Sequence, residues 1–203
     1  TDVGTKLKRL GVTVDFAPVA DVSDESDDEV IGDRSFSNDP AVVTKYASAY
    51  AEGLEAAGIM PVYKHFPGHG HGSGDSHLGL VRTPPLAQLK TSDLVPYQTL
   101  LREPGNAGVM VGHLIVPGLT NGLPASISRP AIQLLRRGAG YGGPPFNGVV
   151  FSDDIGMAAA HGVGGVKSRI DAHLDAGCDV VLVCHPISGN ANAAEWWEPL
   201  FGE

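Results

Sequence analysis

The sequence has no excess of positive charge. Its 203 residues carry 14 Lys and Arg against 23 Asp and Glu, a formal net charge of −9 with histidine neutral. A general nucleic-acid binder needs clustered cations to neutralise phosphates, so no nucleic acid is expected as a partner. No apolar run approaches the roughly 18 residues of a membrane-spanning helix, so no membrane span is expected. Only two cysteines occur, Cys178 and Cys184, both in an apolar stretch. They are read as core-filling side chains rather than a disulfide, and they do not fix a compartment. The opening residues, Thr1 to Leu10, hold neither an initiator methionine nor a signal peptide and read as the end of a helix already under way. There is no glycine-rich turn of the dinucleotide-binding kind and no P-loop. The acidic run Asp24-Glu25-Ser26-Asp27-Asp28-Glu29 lacks the glycine and closing glutamate of an EF-hand, and reads as a solvated loop.

What is present is the make-up of a globular domain with one sizeable core, 42% hydrophobic and 18% charged. One pattern recurs along the chain. Short apolar runs end in ionisable or polar residues: Val12 to Val19 leads to Asp21, Ile59 to Tyr63 to Lys64 and His65, Val109 to Gly112 to His113. Val149 to Phe151 leads to Ser152, Asp153 and Asp154, and Val180 to Val183 leads to Cys184 and His185. Near-continuous apolar runs suit parallel strands covered on both faces.

Helical segments separate these runs. Over Pro40–Ala57 the residues Val42, Tyr46, Tyr50 and Leu54 form an apolar face, with Asp39 as cap, Pro40 in the first turn and Gly58 as stop. Ser92–Leu101 tolerates Pro96 only near its first turn. Ser128–Arg137 ends at Gly138, and residues 164–176 form a further helix. Alternating strands and helices, with chemistry at several strand ends, favour a (β/α)8 barrel over an open doubly wound sheet. About five strand–helix units are present, too few to close a barrel, so the fold expected is an incomplete TIM-type barrel.

The densest chemistry lies in Lys64-His65-Phe66-Pro67-Gly68-His69-Gly70-His71-Gly72-Ser73-Gly74-Asp75-Ser76-His77, which holds four of the eight histidines. Histidine changes charge near neutral pH, and glycine lets a backbone fold tightly or approach a ligand, so this reads as an active-site loop. Asp75 beside His77 favours the imidazolium and suits a proton donor that later accepts; the plain alternative is a turn in which Asp75 bonds its own backbone. Lys64 suits holding a substrate hydroxyl or neutralising a carboxylate, and His65 suits donation to another hydroxyl, unless only one faces the pocket. Asp153 suits a nucleophile, base or metal ligand, or else a helix cap, while Asp154 is expected to point away because strand neighbours face opposite sides. Arg34 suits bidentate contacts to a ligand, or a salt bridge to the acidic run. His69 and His71 have metal-ligand spacing, with loop support preferred for His71.

The blocks Lys64-His65-Phe66-Pro67-Gly68-His69-Gly70 and Asp75-Ser76-His77 resemble the signature of bacterial β-N-acetylhexosaminidases of glycoside hydrolase family 3. Val14-Asp15-Phe16-Ala17-Pro18-Val19-Ala20-Asp21-Val22, Asp33-Arg34-Ser35-Phe36 and Phe151-Ser152-Asp153-Asp154-Ile155-Gly156-Met157 are similar to further blocks of that family, in the same order. The resemblance implies a barrel and a retaining glycosidase. It implies Asp153 as nucleophile, His77 as general acid/base oriented by Asp75, and Lys64, His65, His113 and Arg34 as contacts to N-acetylglucosamine. It implies no metal or organic cofactor, and muropeptide-type or other glycans as substrates, with phosphate as a conceivable alternative acceptor to water. The family's Asp-Gln-Glu-Gly-Gly-Arg block on an earlier strand is absent. By this count the chain supplies strands three to seven, so residues 1–203 are expected to be a single catalytic barrel domain truncated at both ends. Bacterial cytoplasm and cell envelope both remain open. Two other readings stand beside this one. One is a metal-dependent hydrolase built on His69, His71, His113 and Asp153. The other is an inactive fragment that pairs with itself through its apolar ending, Glu195 to Phe201.

Overall fold

The computed structural model describes residues 2–23, 31–73, 79–103, 105–157 and 165–184. The acidic run, Asp75, His77, His185 and the apolar ending therefore lie outside the described residues. In chain order the elements are α1 (Asp2–Arg9), β1 (Val14–Asp15), α2 (Pro40–Glu55), β2 (Met60–Phe66), β3 (Val81–Arg82), α3 (Leu86–Leu89) and α4 (Val95–Leu100). They continue as β4 (Gly108–Val111), β5 (Leu114–Ile115), α5 (Arg129–Arg137), β6 (Val150–Asp154), α6 (Val166–Ala176) and β7 (Val180–Leu182). Five strands form one parallel sheet in the order β1-β2-β4-β6-β7, an incomplete (β/α) barrel. All five expected strands are there. The small parallel pair β3 and β5 was not expected, because two-residue strands leave no periodicity to read.

Alternation divides the sheet into two faces. Tyr63, Val109, Val111 and Val150 point outward into the large core beneath the helices, with Leu100, Ile132 and Leu135. Burying each such aliphatic side chain contributes about 1.5–3 kcal/mol. The inward face holds a smaller cluster of Val62, Met110 and Phe151, joined by Val14, Phe16, Met60, Val149 and Leu182. Phe151 and Phe16 meet edge to face with centroids 5.4 Å apart. Gly108 makes room for this packing, since a Cβ there would stand 2.7 Å from the Phe151 ring.

Helix boundaries follow their caps. The Asp39 carboxylate accepts the Ala41 N–H at 2.8 Å and Pro40 opens α2. Ser128 precedes α5, and Gly138, at φ 69°, ends it. Three expectations are corrected. The buried stripe of α2 is Val43, Ala47, Ala51 and Leu54, not the tyrosine face. Small alanines let the helix sit close to β2 and α4; Tyr46 stands at the rim, 52% exposed, and stacks on Phe36. The segment Ser92–Leu101 is helical only from Val95, with Pro96 in its first turn as anticipated. Cys178 fills the core, whereas Cys184 is exposed.

Candidate active site

The inward alternation continues past the apolar cluster to the strand ends. Lys64 follows Met60 and Val62 on β2, and Asp153 follows Val149 and Phe151 on β6. Both are half-buried at the C-terminal mouth of the sheet. Burial lowers the proton affinity of the Lys64 amine, Arg34 lowers it further, and Asp153, Asp21 and Asp15 oppose both. The mouth therefore sets a lysine between a guanidinium and carboxylates. Arg34 ends a 3-10 turn, Gly32–Arg34, and its Nε–H donates to the Ile31 carbonyl at 3.4 Å.

The two neighbouring carboxylates of β6 diverge. Asp153 Oδ1 accepts the Asp154 N–H at 2.8 Å and its side chain stays at the mouth. Asp154 is buried, and its Oδ1 accepts the N–H groups of Gly156 at 3.0 Å and Cys184 at 2.9 Å. Asp154 thus ties β6 to β7.

Asp21 was noted in the sequence only as the end of the first apolar run, and no role was given to it. Beyond β1 the chain keeps running beside β2: Val62 N–H donates to Ala17 O at 2.9 Å and Lys64 N–H to Pro18 O at 3.3 Å. This delivers Asp21, 0% exposed, beneath the histidine loop. Its carboxylate accepts the His65 N–H at 3.2 Å, the His69 N–H at 2.7 Å and the His65 ring Nδ1–H at 2.7 Å. Burial alone would raise its pKa; the contacts to His65 and His69 outweigh burial and hold it below the usual carboxylate value. The signal available in the sequence was its position, since it closes an apolar run as Lys64 and Asp153 do.

The loop itself depends on close approach. A Cβ on Gly70 would stand 2.0 Å from the Val22 carbonyl oxygen, and one on Gly68 would stand 2.2 Å from the Asp93 Cβ. His71 Nδ1 pairs with Asp93 at 2.9 Å, and that hydrogen bond raises the His71 pKa against partial burial. His71 therefore supports the loop. Ser73 bridges to Arg82, so the chain is pinned on both sides of residues 74–78.

His113 is where the sequence reading and the geometry part. It is 1% exposed. Its Nε2–H donates to the Asp154 carbonyl at 2.9 Å, and Nδ1 accepts the Ser126 hydroxyl at 2.7 Å. Both ring nitrogens are used, so none remains for a sugar hydroxyl; the ring braces the end of β6. Burial lowers its pKa, against Asp153 and Asp154. The metal-binding set that included His113 is not assembled either: among the described residues no three His, Cys, Asp or Glu side chains stand together as a metal site.

The model of the glycosyl hydrolase family 3 N-terminal domain matches residues 1–195. Beta-hexosaminidase LpqI of Mycobacterium tuberculosis is 60% identical over 182 residues, which cover 89% of this chain and 47% of that protein. The solved structure of M. tuberculosis LpqI superposes with a TM-score of 0.87, covering 90% of this chain and 53% of the other. NagZ from Neisseria gonorrhoeae, solved in complex with N-trifluoroacetyl-D-glucosamine, is 36% identical with a TM-score of 0.77, over 97% of this chain and 58% of that one. The chain spans about half the length of the curated relatives it matches. A family model that fits all but the last few residues, on a barrel whose strand ends carry the family's blocks, makes this chain a member of glycosyl hydrolase family 3, within its N-terminal domain.

Proposed function

We propose that this chain is the catalytic barrel domain of a retaining β-N-acetylhexosaminidase that removes terminal β-linked N-acetylglucosamine, from muropeptide-type fragments among other glycans. The observation that carries this is the divergence of the two β6 carboxylates: Asp154 is bound to backbone, and Asp153 faces the mouth near Lys64. The relatives' name, beta-hexosaminidase, and the N-acylated glucosamine bound to the Neisseria protein support the choice of sugar.

In the reaction, Asp153 attacks the anomeric carbon and the glycosidic bond breaks. The departing oxygen takes a proton from His77, which Asp75 orients. The resulting glycosyl-enzyme ester is then attacked by water, whose proton returns to His77, and the sugar leaves with its original anomeric configuration. Retaining glycosidases commonly use two carboxyl groups for these roles. Here a His–Asp pair serves as acid and base. Lys64, His65 and Arg34 hold sugar hydroxyls and the acyl group.

The test is nitrophenol release from 4-nitrophenyl N-acetyl-β-glucosaminide by the wild-type chain and by Asp153→Ala, with and without chelator. Release that survives the chelator and falls by at least about a thousandfold in the variant is the expected outcome. Chelator-sensitive release would overturn it in favour of a metal hydrolase. No release from a folded sample would overturn catalysis by this chain.

A further inference from the structure

We infer that Asp21 is a positioning residue for the sugar site: it fixes the His65 ring with its proton on Nδ1, so that Nε2 is presented to the ligand as a hydrogen-bond acceptor. This deepens the glycosidase proposal and rests on its reading that the mouth binds a sugar.

Three contacts carry the inference. The Asp21 carboxylate holds the His65 backbone N–H and, through Oδ2, the ring Nδ1 of the same residue, so both ring position and ring rotation are defined. A carboxylate only accepts, so Nδ1 must donate. Asp21 is fully buried and stays ionised through its contacts with His65 and His69, so the donor–acceptor sense does not reverse. The His65 Cβ stands 3.3 Å from where a Cβ on Gly112 would be, and Gly112 comes two residues after Met110 of the inward cluster. Nε2 is on the opposite edge of the ring from Asp21, and no described residue bonds it.

The consequence for His65 is acceptance from a sugar hydroxyl rather than donation to one. A neutral ring with its proton on Nδ1 accepts at Nε2, and a sugar hydroxyl has a proton to give. Lys64, next in sequence, can only donate. The pair therefore offers one donor and one acceptor to neighbouring polar groups on a sugar, a pattern that selects for position as well as for charge.

The experiment uses the chain labelled with 15N-histidine. Long-range proton–nitrogen correlation near pH 8 reads the tautomer of each ring, and titration with N-acetylglucosamine follows Nε2 of His65. The expected wild-type spectrum shows a protonated Nδ1 and a bare Nε2 whose resonance moves as sugar is added. In Asp21→Asn the amide oxygen still accepts from His69 N–H, and the amide nitrogen replaces Oδ2 opposite Nδ1. The ring proton should then move to Nε2, and sugar affinity should fall roughly tenfold or more, as for other outer partners of a functional histidine. A wild-type ring protonated on Nε2 overturns the inference without any variant. So does an Asp21→Asn protein with unchanged tautomer or unchanged affinity. If the tautomer shifts as expected while nitrophenol release is absent from wild type, the catalytic proposal fails and the role of Asp21 stands.

Discussion

At the residue scale, Asp153 and Asp154 share a sequence motif and are put to opposite uses. The strand period alone separates them: one faces inward and the other turns to backbone. That much was legible before any coordinates. What was not legible was the state of the histidines. His113 closes an apolar run as Lys64 does, yet its two nitrogens are occupied by Ser126 and the Asp154 carbonyl, partners from other elements. No local pattern announces such a pairing, and the same holds for Asp21 beneath His65. The contrast between the two aspartates yields a prediction. Asp154→Ala removes a buried acceptor from two backbone N–H groups and should destabilise the fold by about 2–4 kcal/mol, because unpaired buried donors keep their desolvation cost. Asp153→Ala should leave stability within about 1 kcal/mol while removing turnover. Urea denaturation of both variants beside nitrophenol release separates them. A stable Asp154→Ala protein without turnover would mean that the nucleophile had been placed on the wrong carboxylate.

At the element scale, the glycines of the loop after β2 have a steric purpose. Gly70 lies flat on the Val22 backbone and Gly68 on Asp93, so the loop is pressed between the segment beyond β1 and the turn before α4. The sequence left tight folding and approach to a ligand both open; at Gly68 and Gly70 the close approach is to protein. Pinning of this kind gives the loop a fixed origin from which a catalytic pair can be aimed. Gly70→Ala should therefore cost about 1–3 kcal/mol by forced overpacking and should also lower turnover, since Val22 is backbone and cannot turn aside. Gly79→Ala is the control, as no described residue has an atom within 4 Å of a Cβ there. Equal stability and activity in the two variants would refute the pinned loop. The error over α2 has a related cause. Spacing of four fits either Val42, Tyr46 and Tyr50 or Val43, Ala47 and Ala51, both leading to Leu54, and only packing against β2 and α4 selects the alanines. Strands, by contrast, were legible because burial on both faces makes their apolar runs nearly continuous.

At the scale of the whole molecule, the mouth of the barrel is braced from below by buried neutral histidines, and this sets the chain's response to acid. His173 is 0% exposed, its Nδ1–H donates to the Arg169 carbonyl at 2.7 Å, and its ring lies against His113. Burial brings its pKa down from 6.5 to about 4, with His113 adding to the fall and the Arg169 carbonyl and Asp153 opposing it. His113 shifts in the same direction. In the unfolded chain both rings take up protons near pH 6.5, whereas in the folded chain His173 resists until about pH 4 and His113 also resists below its ordinary value. The unfolded state therefore binds more protons across this window, and stability must fall as pH drops. The His173 shift alone corresponds to about 3 kcal/mol lost between pH 6.5 and 4. Asp21, held low, adds its own loss only below the ordinary carboxylate range. His71 has the opposite sign, since its raised value stabilises the fold at low pH and that contribution fades as pH rises; its ring is 43% exposed, so the effect is small. Urea denaturation at half-unit steps from pH 7 to 4.5 should show stability falling by about one proton's worth per pH unit near pH 5 from His173, with His113 adding in the same direction. A flat profile over that range would mean that the histidines under the mouth are charged or solvated in the fold, and that the brace beneath Asp153 is not the one described.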